Sequence, residues 1–504
     1  MMTMKNTTNN MFEFEISQRA KTIFVGALIG LFLSKGLALI PRFSLDDYLA
    51  MNQGREPLPF LGQGRYSEVV IQLILNNLGV STTSIAWFFT ILCFVAAASA
   101  ITAGILFATR SKGPAMIQAG IAAIIGSHPY LTELFSYGEA LTFQGTSFVL
   151  LTLIFVLISN SEKENQNIGL FNTIIWLTLP LLALVGTQQT SFIIALLFIV
   201  SRFVIDSITI GGVNGIKQSL HNHSTLFITF LFSAIIYAIV VLLTQKFVVT
   251  QHDPRASLIS IAEIPLRLKE IALLLKLVFL SSEPILSSTV KLLLLATIIG
   301  FTIKTSLSKP QIAVGFFILF ITLATGSIFL VSISAIWWPV PRAIYGIGFT
   351  YGLTLIAISI WLDKGQKLFL GMILTIALGL IFHSNAMLND QLRLNRWDLW
   401  TAGVIAQELA IRGVTQDQKV YLIAPPMIYP AGPKTAYRDL NISALSITGY
   451  TKYLMKEATG RDWNIETVAG SPEVCPQNTL PWPSPDSIRI LPQQVFVCMG
   501  NPYE

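Results

Sequence analysis

The residues with the widest chemical reach sit just beyond the first apolar run. Asp46 and Asp47 are followed by Tyr48, and the same hydrophilic stretch continues through Gly54-Arg55 to Gly64-Arg65-Tyr66. A carboxylate at a bilayer surface can take a proton from an acceptor hydroxyl, and arginines can hold a departing phosphate through paired, charge-assisted hydrogen bonds. Together these groups suit transfer of a sugar from a lipid phosphate. The competing reading of the same spacing is a solvated loop whose Asp pair caps a helix.

Further candidates are scattered along the chain. His128, Glu133 and Tyr137 share a short turn in which Glu133 suits sugar hydroxyls or a metal; the plainer readings are a helix N-terminal acid and a satisfied loop histidine. Arg342 follows Trp337-Trp338, aromatic residues that suit either stacking on a sugar or an interfacial belt. Arg55, Arg65 and Arg342 run against the usual charge bias of outside loops, which points to a phosphate or carboxylate partner for at least one, unless they snorkel to headgroups. Lys291 lies within an apolar run, near its outside end, where it either meets a donor phosphate or snorkels.

The elements that must position these residues are membrane spans. Of 504 residues 53% are hydrophobic and 12% charged, and mean hydropathy is +0.64; soluble domains carry roughly 25% charge. Apolar runs of about 18 to 22 residues match the 30 Å of hydrocarbon that a helix must cross, and the alternating ten-residue segments of a barrel are missing. The runs place about eleven spans: Thr22 to Ile40, Ser84 to Thr109, Ala115 to Ser127, Gly138 to Ser159, Leu170 to Gly186, Thr190 to Ile208, Leu226 to Gln245, Leu286 to Ile303, Ile312 to Val331, Ala343 to Trp361 and Leu368 to His383. The third is short and Gly-rich, and it decides whether the count is odd. Arg19 and Lys21, Arg110 and Lys112, Lys163, Lys217, Lys304 and Lys309, and Lys364 and Lys367 then share one side, which the positive-inside rule makes the cytoplasm. The N-terminus is expected inside, its first run retained as an anchor, and everything after His383 outside. The net charge of +6 reflects this loop bias, and nucleic-acid binding is not implied.

Two outside stretches, Ser67 to Leu78 and Glu263 to Leu280, have the pattern of helices lying in the headgroup region or packed on the protein itself. The chain divides into a membrane domain, residues 1–384, and a tail, residues 385–504, large enough for a small mixed α/β core. In the tail Trp397 to Arg412 reads as an amphipathic helix and Lys419 to Ile423 as a strand; Trp397, Trp400 and Tyr437 suit a core more than a polysaccharide. Cys93 lies in a span, whereas Cys475 and Cys498 share the tail, where export permits a disulfide or leaves two free thiols. Walker-type GxxxxGK[ST], HExxH and CxxC signatures are missing.

Asp-Asp-Tyr just beyond the first span, then Gly-Arg, resembles the bacterial serotype-converting O-antigen glucosyltransferases of the GtrII type, polytopic enzymes of the GT-C class. The likeness continues in Pro129-Tyr130-Leu131-Thr132-Glu133-Leu134-Phe135-Ser136-Tyr137 and in Pro341-Arg342-Ala343, over roughly Thr22 to His383. The resemblance implies a helical GT-C-like fold in a bacterial inner membrane, a polyprenyl-phosphate glucose donor, and an O-antigen lipopolysaccharide acceptor on the periplasmic face. It implies inversion at the anomeric carbon, with a divalent cation left open. Enzymes of the class place an acidic residue in the first outside loop, so Asp46 or Asp47 becomes the base, Asp47 being placed slightly ahead, with the other acid orienting the acceptor or an arginine. Arg55, Arg65, Tyr66, His128, Glu133, Tyr137, Lys291 and Arg342 are the expected donor or sugar contacts. A transporter or flippase of lipid-linked sugars is the alternative; it would line a central path with charge, whereas here the charges cluster at outside helix ends.

Overall fold

The structure, a computed structural model, describes residues 2–53, 58–163, 170–248, 257–307, 310–424, 433, 435, 442–469, 474–475 and 480–499. Arg55 and Tyr437 lie outside the described residues. Helix α1 (Met2–Lys35) leads through a short 3-10 turn to α2 (Leu45–Gln53), α3 (Leu58–Gly62) and α4 (Tyr66–Asn77). Then come α5 (Ala86–Thr109), α6 (Ala115–Ser127), α7 (Pro129–Thr132), α8 (Leu141–Lys163), α9 (Leu170–Thr187), α10 (Gln189–Ile210) and α11 (Gly212–Phe247). The membrane part continues with α12 (Ile264–Phe279), α13 (Ser288–Ser306), α14 (Pro310–Ser327), α15 (Phe329–Ile333), α16 (Gly346–Ile360) and α17 (Gln366–Ile411). The tail adds β1 (Lys419–Ala424), α18 (Thr451–Thr459), β2 (Ile465–Ala469), β3 (Ile488–Ile490) and β4 (Gln494–Cys498).

Among the described residues 8 stretches are long and apolar enough to cross a bilayer, within α1, α5, α8, α10, α11, α13, α14 and α17. The other three expected spans fall on the shorter apolar helices Ala115–Ser127, Ile174–Thr187 and Gly346–Ile360. Ala115–Ser127 and Gly346–Ile360 cover only about 20 Å at 1.5 Å per residue, short of the roughly 30 Å of hydrocarbon. The physical stop is visible in α6, where Pro129 two residues on cannot continue the helix. Side chains such as Phe32, Leu231 and Leu242 stay exposed around the bundle, as a lipid-facing surface requires. The expected headgroup helices appear as α4 and α12, the latter exposing Leu266, Leu268 and Leu273.

Close backbone approach organises the first helices. Gly26 and Gly30, one turn apart on α1, face Ala119 and Ala123 of α6 so closely that a Cβ at Gly30 would stand 2.6 Å from Ala123 Cα. Small residues at this spacing let two helices meet where lipid offers no hydrophobic drive. The ends of the bundle that carry the basic loops are drawn together by polar contacts: Arg19 Nη1 donates to Gly113 O (2.6 Å), Arg110 Nη2 to Asp206 Oδ2 (2.8 Å), and Arg202 Nη2 to Glu162 Oε2 (2.6 Å).

Helix α17 has 46 residues and spans about 69 Å, more than twice the hydrocarbon thickness, so its second half stands clear of the bilayer. It passes residue 384 unbroken and carries the tail on its far end. There Ala402, Ile405 and Leu409 pack with Val420, Leu422, Leu454, Val495 and Val497. The sheet order is β2-β1-β4-β3, with β1 parallel to both neighbours and β3 antiparallel to β4. The mixed tail and its strand over 419–423 thus match expectation, and Cys475 and Cys498 are joined, with Cα atoms 5.9 Å apart. Trp397 packs against the tail core, whereas Trp400 is exposed.

Candidate active site

A cavity of about 1120 Å³ opens among the helix ends opposite those that carry the basic loops. Its charged and polar lining includes Asp46 of α2, Arg65 before α4, Glu68, Tyr137, Glu139, Gln144, Gln188 and Arg342. Apolar side chains of α11 and of the region of α15 also line it, among them Val241, Leu242, Phe329, Leu330 and Ile336. The lining is thus mixed, combining charged and polar groups with apolar side chains.

The loop after α1 turns its adjacent acids in different directions. Asp46 is exposed and lines the cavity. Asp47 is wholly buried and does not reach it: its Oδ2 accepts from Ser44 N (2.7 Å), Ser44 Oγ (2.9 Å) and Gly138 N (3.2 Å), and its Oδ1 from Glu139 N (2.7 Å). Burial pushes its carboxyl pKa up, against four hydrogen bonds that pull it down. Asp47 is thus a strut that ties α2 to the turn at 138–139. The local reason is helical: in the first turn of α2, consecutive residues lie about 100° apart, so only one of the pair can face the cavity.

Arg342 is held on several sides. Glu133, fully buried, accepts from its backbone N–H (2.6 Å) and from its guanidinium. Nη1 also donates to Tyr137 Oη (2.8 Å), and the guanidinium lies over the rings of Tyr137 (4.9 Å) and Trp338 (4.6 Å). Burial opposes its charge, but Glu133 and Tyr137 outweigh that, and its pKa stands above the ordinary arginine value. The side chain remains 27% exposed, so a flat cation is presented to the cavity in a fixed orientation. Arg65 supplies a second cation, half-exposed and 3.4 Å from Glu68 Oε2.

Other expected contacts are placed elsewhere. Glu133 acts on Arg342 and lines no part of the cavity. Tyr66 ties α4 to α9 by donating to Leu182 O (2.7 Å). His128, fully buried, caps α7, its Nδ1 accepting from Tyr130 N (3.3 Å), and its Nε2 has no hydrogen-bond partner among the described residues. Lys291, also buried, donates to Leu277 O (2.8 Å), Ser281 O (3.0 Å) and Glu283 Oε1 (2.5 Å), and that same carboxylate oxygen accepts from Tyr130 Oη (2.5 Å). Trp337 lies under Arg267 (4.9 Å), away from the cavity lining that Trp338 joins. Among the described residues no group of three or more His, Cys, Asp or Glu is gathered as for a metal.

Sequence reasoning passed over Glu68, Glu139, Gln144 and Gln188. A signal existed for two of them: Glu139 lies two residues after Tyr137, and Gln188 opens a Gln-Gln pair between two apolar runs at an outside end.

A family model described as Glucosyl transferase GtrII matches residues 37–361, which include every cavity-lining group named above. No curated protein and no solved structure gives a significant match.

Proposed function

The chain belongs to the GtrII glucosyl transferase family, and from that premise we propose that it moves glucose from polyprenyl-phosphate glucose to a hydroxyl of O-antigen polysaccharide on the periplasmic face of the inner membrane. The observation that carries this reading is the cavity of mixed lining, to which an exposed carboxylate, Asp46, two cations, Arg65 and Arg342, and many apolar side chains all contribute. The apolar lining suits the polyprenyl chain and the cations suit its phosphate.

Asp46 takes the proton from the acceptor hydroxyl as its oxygen bonds to the anomeric carbon. The bond from that carbon to the phosphate oxygen breaks, and the electron pair leaves with the lipid phosphate, whose charge Arg65 and Arg342 stabilise. One displacement inverts the centre, so a β-linked donor gives an α-linked product. Glu133 and Asp47 serve by holding Arg342 and α2. Gln144, Gln188 and Glu139 offer hydrogen bonds to sugar hydroxyls. The basic loops at the opposite helix ends support an outer-face cavity, an N-terminus in the cytoplasm and a periplasmic tail, residues 385–504.

The test is reconstitution in vesicles with polyprenyl-phosphate glucose and O-antigen acceptor, followed by linkage analysis of the product. An α-glucosylated polysaccharide is expected. Movement of the donor across the bilayer with no glycosidic bond formed would overturn the reading in favour of a flippase.

A further inference from the structure

The segment that leads into Asp46 is gripped by a part of the chain that lies beyond the family match. Residues 42–44 run against the outer half of α17, where Gln391, Asn395 and Asp398 fall on one helical face at spacings of four and three. Gln391 Oε1 accepts from Arg42 Nε (3.0 Å), and its Nε2 donates to Ser136 O (3.1 Å). Asn395 closes on a single residue from both sides. Its Oδ1 accepts from the backbone N–H of Phe43 (2.8 Å), and its Nδ2 donates to the Phe43 carbonyl (2.9 Å). An amide that satisfies both backbone groups of one residue fixes the two peptide units that flank it, as a strand partner would.

The far side of α2 is held as well. Tyr48 is buried in the tail core beside Ala402, Ile405 and Leu454. Asp398 anchors the tail to the same face of α17 by accepting from Ser443 Oγ (2.5 Å) and Ala444 N (3.0 Å). Asp46, Asp47 and Tyr48 therefore face three different places: the cavity, the turn at 138–139, and the tail. With Phe43 clamped before the helix and Tyr48 buried within it, the direction of Asp46 follows from contacts made by α17 and the tail.

We propose that Asn395 is a positioning residue for sugar transfer: through Phe43 it sets the start of α2, and so the aim of the Asp46 carboxylate, making the outer half of α17 a working part of the active site. The inference rests on Asp46 being the base. Its energetic logic is that a reacting group displaced by about 1 Å can cost roughly a hundredfold in rate.

The experiment uses the full-length protein in vesicles with polyprenyl-phosphate glucose and O-antigen acceptor, comparing wild type, Asp46→Asn, Asn395→Ala and Asn395→Asp. Turnover is normalised to folded protein measured by thermal melting. Asn395→Ala is expected to lower kcat about tenfold or more while the donor KM stays within about twofold. Asn395→Asp, which can still accept from Phe43 N–H, should fall between alanine and wild type. If Asn395→Ala turns over like wild type while Asp46→Asn is inactive, the clamp does not aim the base and the proposal fails. A rate loss wholly accounted for by unfolded protein would also overturn it, since a merely structural contact leaves each folded molecule fully active. Full activity of Asp46→Asn would instead sink the base assignment, whatever Asn395 does.

Discussion

Arg342–Glu133 and Lys291–Glu283 each pair a cation with an acid near a helix end, and of these two pairs only the first opens onto the cavity. Arg342 and Glu133 are joined so that the guanidinium, 27% exposed, still faces the cavity between Tyr137 and Trp338. Lys291 and Glu283 are joined so that the ammonium is 0% exposed, with its donors directed at two carbonyls and one carboxylate. By sequence both cations were phosphate candidates. The difference is geometric: a planar guanidinium can bind an acid with one edge and present the rest of its surface, whereas an ammonium with three acceptors has nothing left to offer. A buried charge therefore marks a binding site only when some of its hydrogen-bonding capacity is left toward open space.

The comparison breaks most visibly if Lys291 proves to touch substrate. Lys291→Met leaves Glu283 buried without its cation and is expected to destabilise the protein by about 3 to 5 kcal/mol. Adding Glu283→Gln should recover most of that loss, because the pair is then neutral and Gln still offers an oxygen to Tyr130. The double variant is expected to transfer sugar at the wild-type rate per folded molecule, measured by turnover beside thermal melting; a large rise in donor KM would place Lys291 at the donor after all. A smaller effect is expected at the open cluster. Arg342→Lys keeps the charge but loses the fork and the flat face, so kcat/KM should drop about tenfold, or roughly 1 to 2 kcal/mol, with little change in melting temperature.

A third effect concerns the anchor of the tail. Asp398 is the thirty-third residue of α17, about 48 Å from its start and so beyond the hydrocarbon. Burial pushes its carboxyl up to about 7, against hydrogen bonds from Ser443 and Ala444. An unfolded carboxyl titrates near 3.9, so the folded protein holds this proton more tightly. The group's contribution to stability is fully present below about pH 4 and is lost as pH rises to about 7. Asp398→Asn should remove that slope, and melting curves from pH 4 to 8 that fall in parallel for variant and wild type would show that the carboxyl stays ionised.

Much of this was legible in the sequence because hydropathy and charge bias are summed over many residues. The eleven apolar segments all became helices, and the loop after the first one carries the exposed acid. Sequence placed Asp47 slightly ahead of Asp46, but it is Asp46 that lines the cavity: the turn at 138–139, 91 and 92 residues away, directs its N–H groups at Asp47, which is buried. Nor could sequence show that Glu133 serves Arg342, across 209 residues, instead of a sugar. The boundary after residue 384 followed the end of hydropathy, but hydropathy reports the solvent and not the helix, and α17 runs on through it. A polar stripe did mark the continuation: Gln391, Asn395 and Asp398 keep helical spacing well past the last apolar turn.

The most direct measurement is single-turnover sugar transfer by Asp46→Asn in vesicles, with polyprenyl-phosphate glucose and O-antigen acceptor and with donor binding measured in parallel. If Asp46 is the base, the chemical step slows by about a hundredfold to ten-thousandfold while the donor still binds. Transfer at the wild-type rate by this variant would contradict that role.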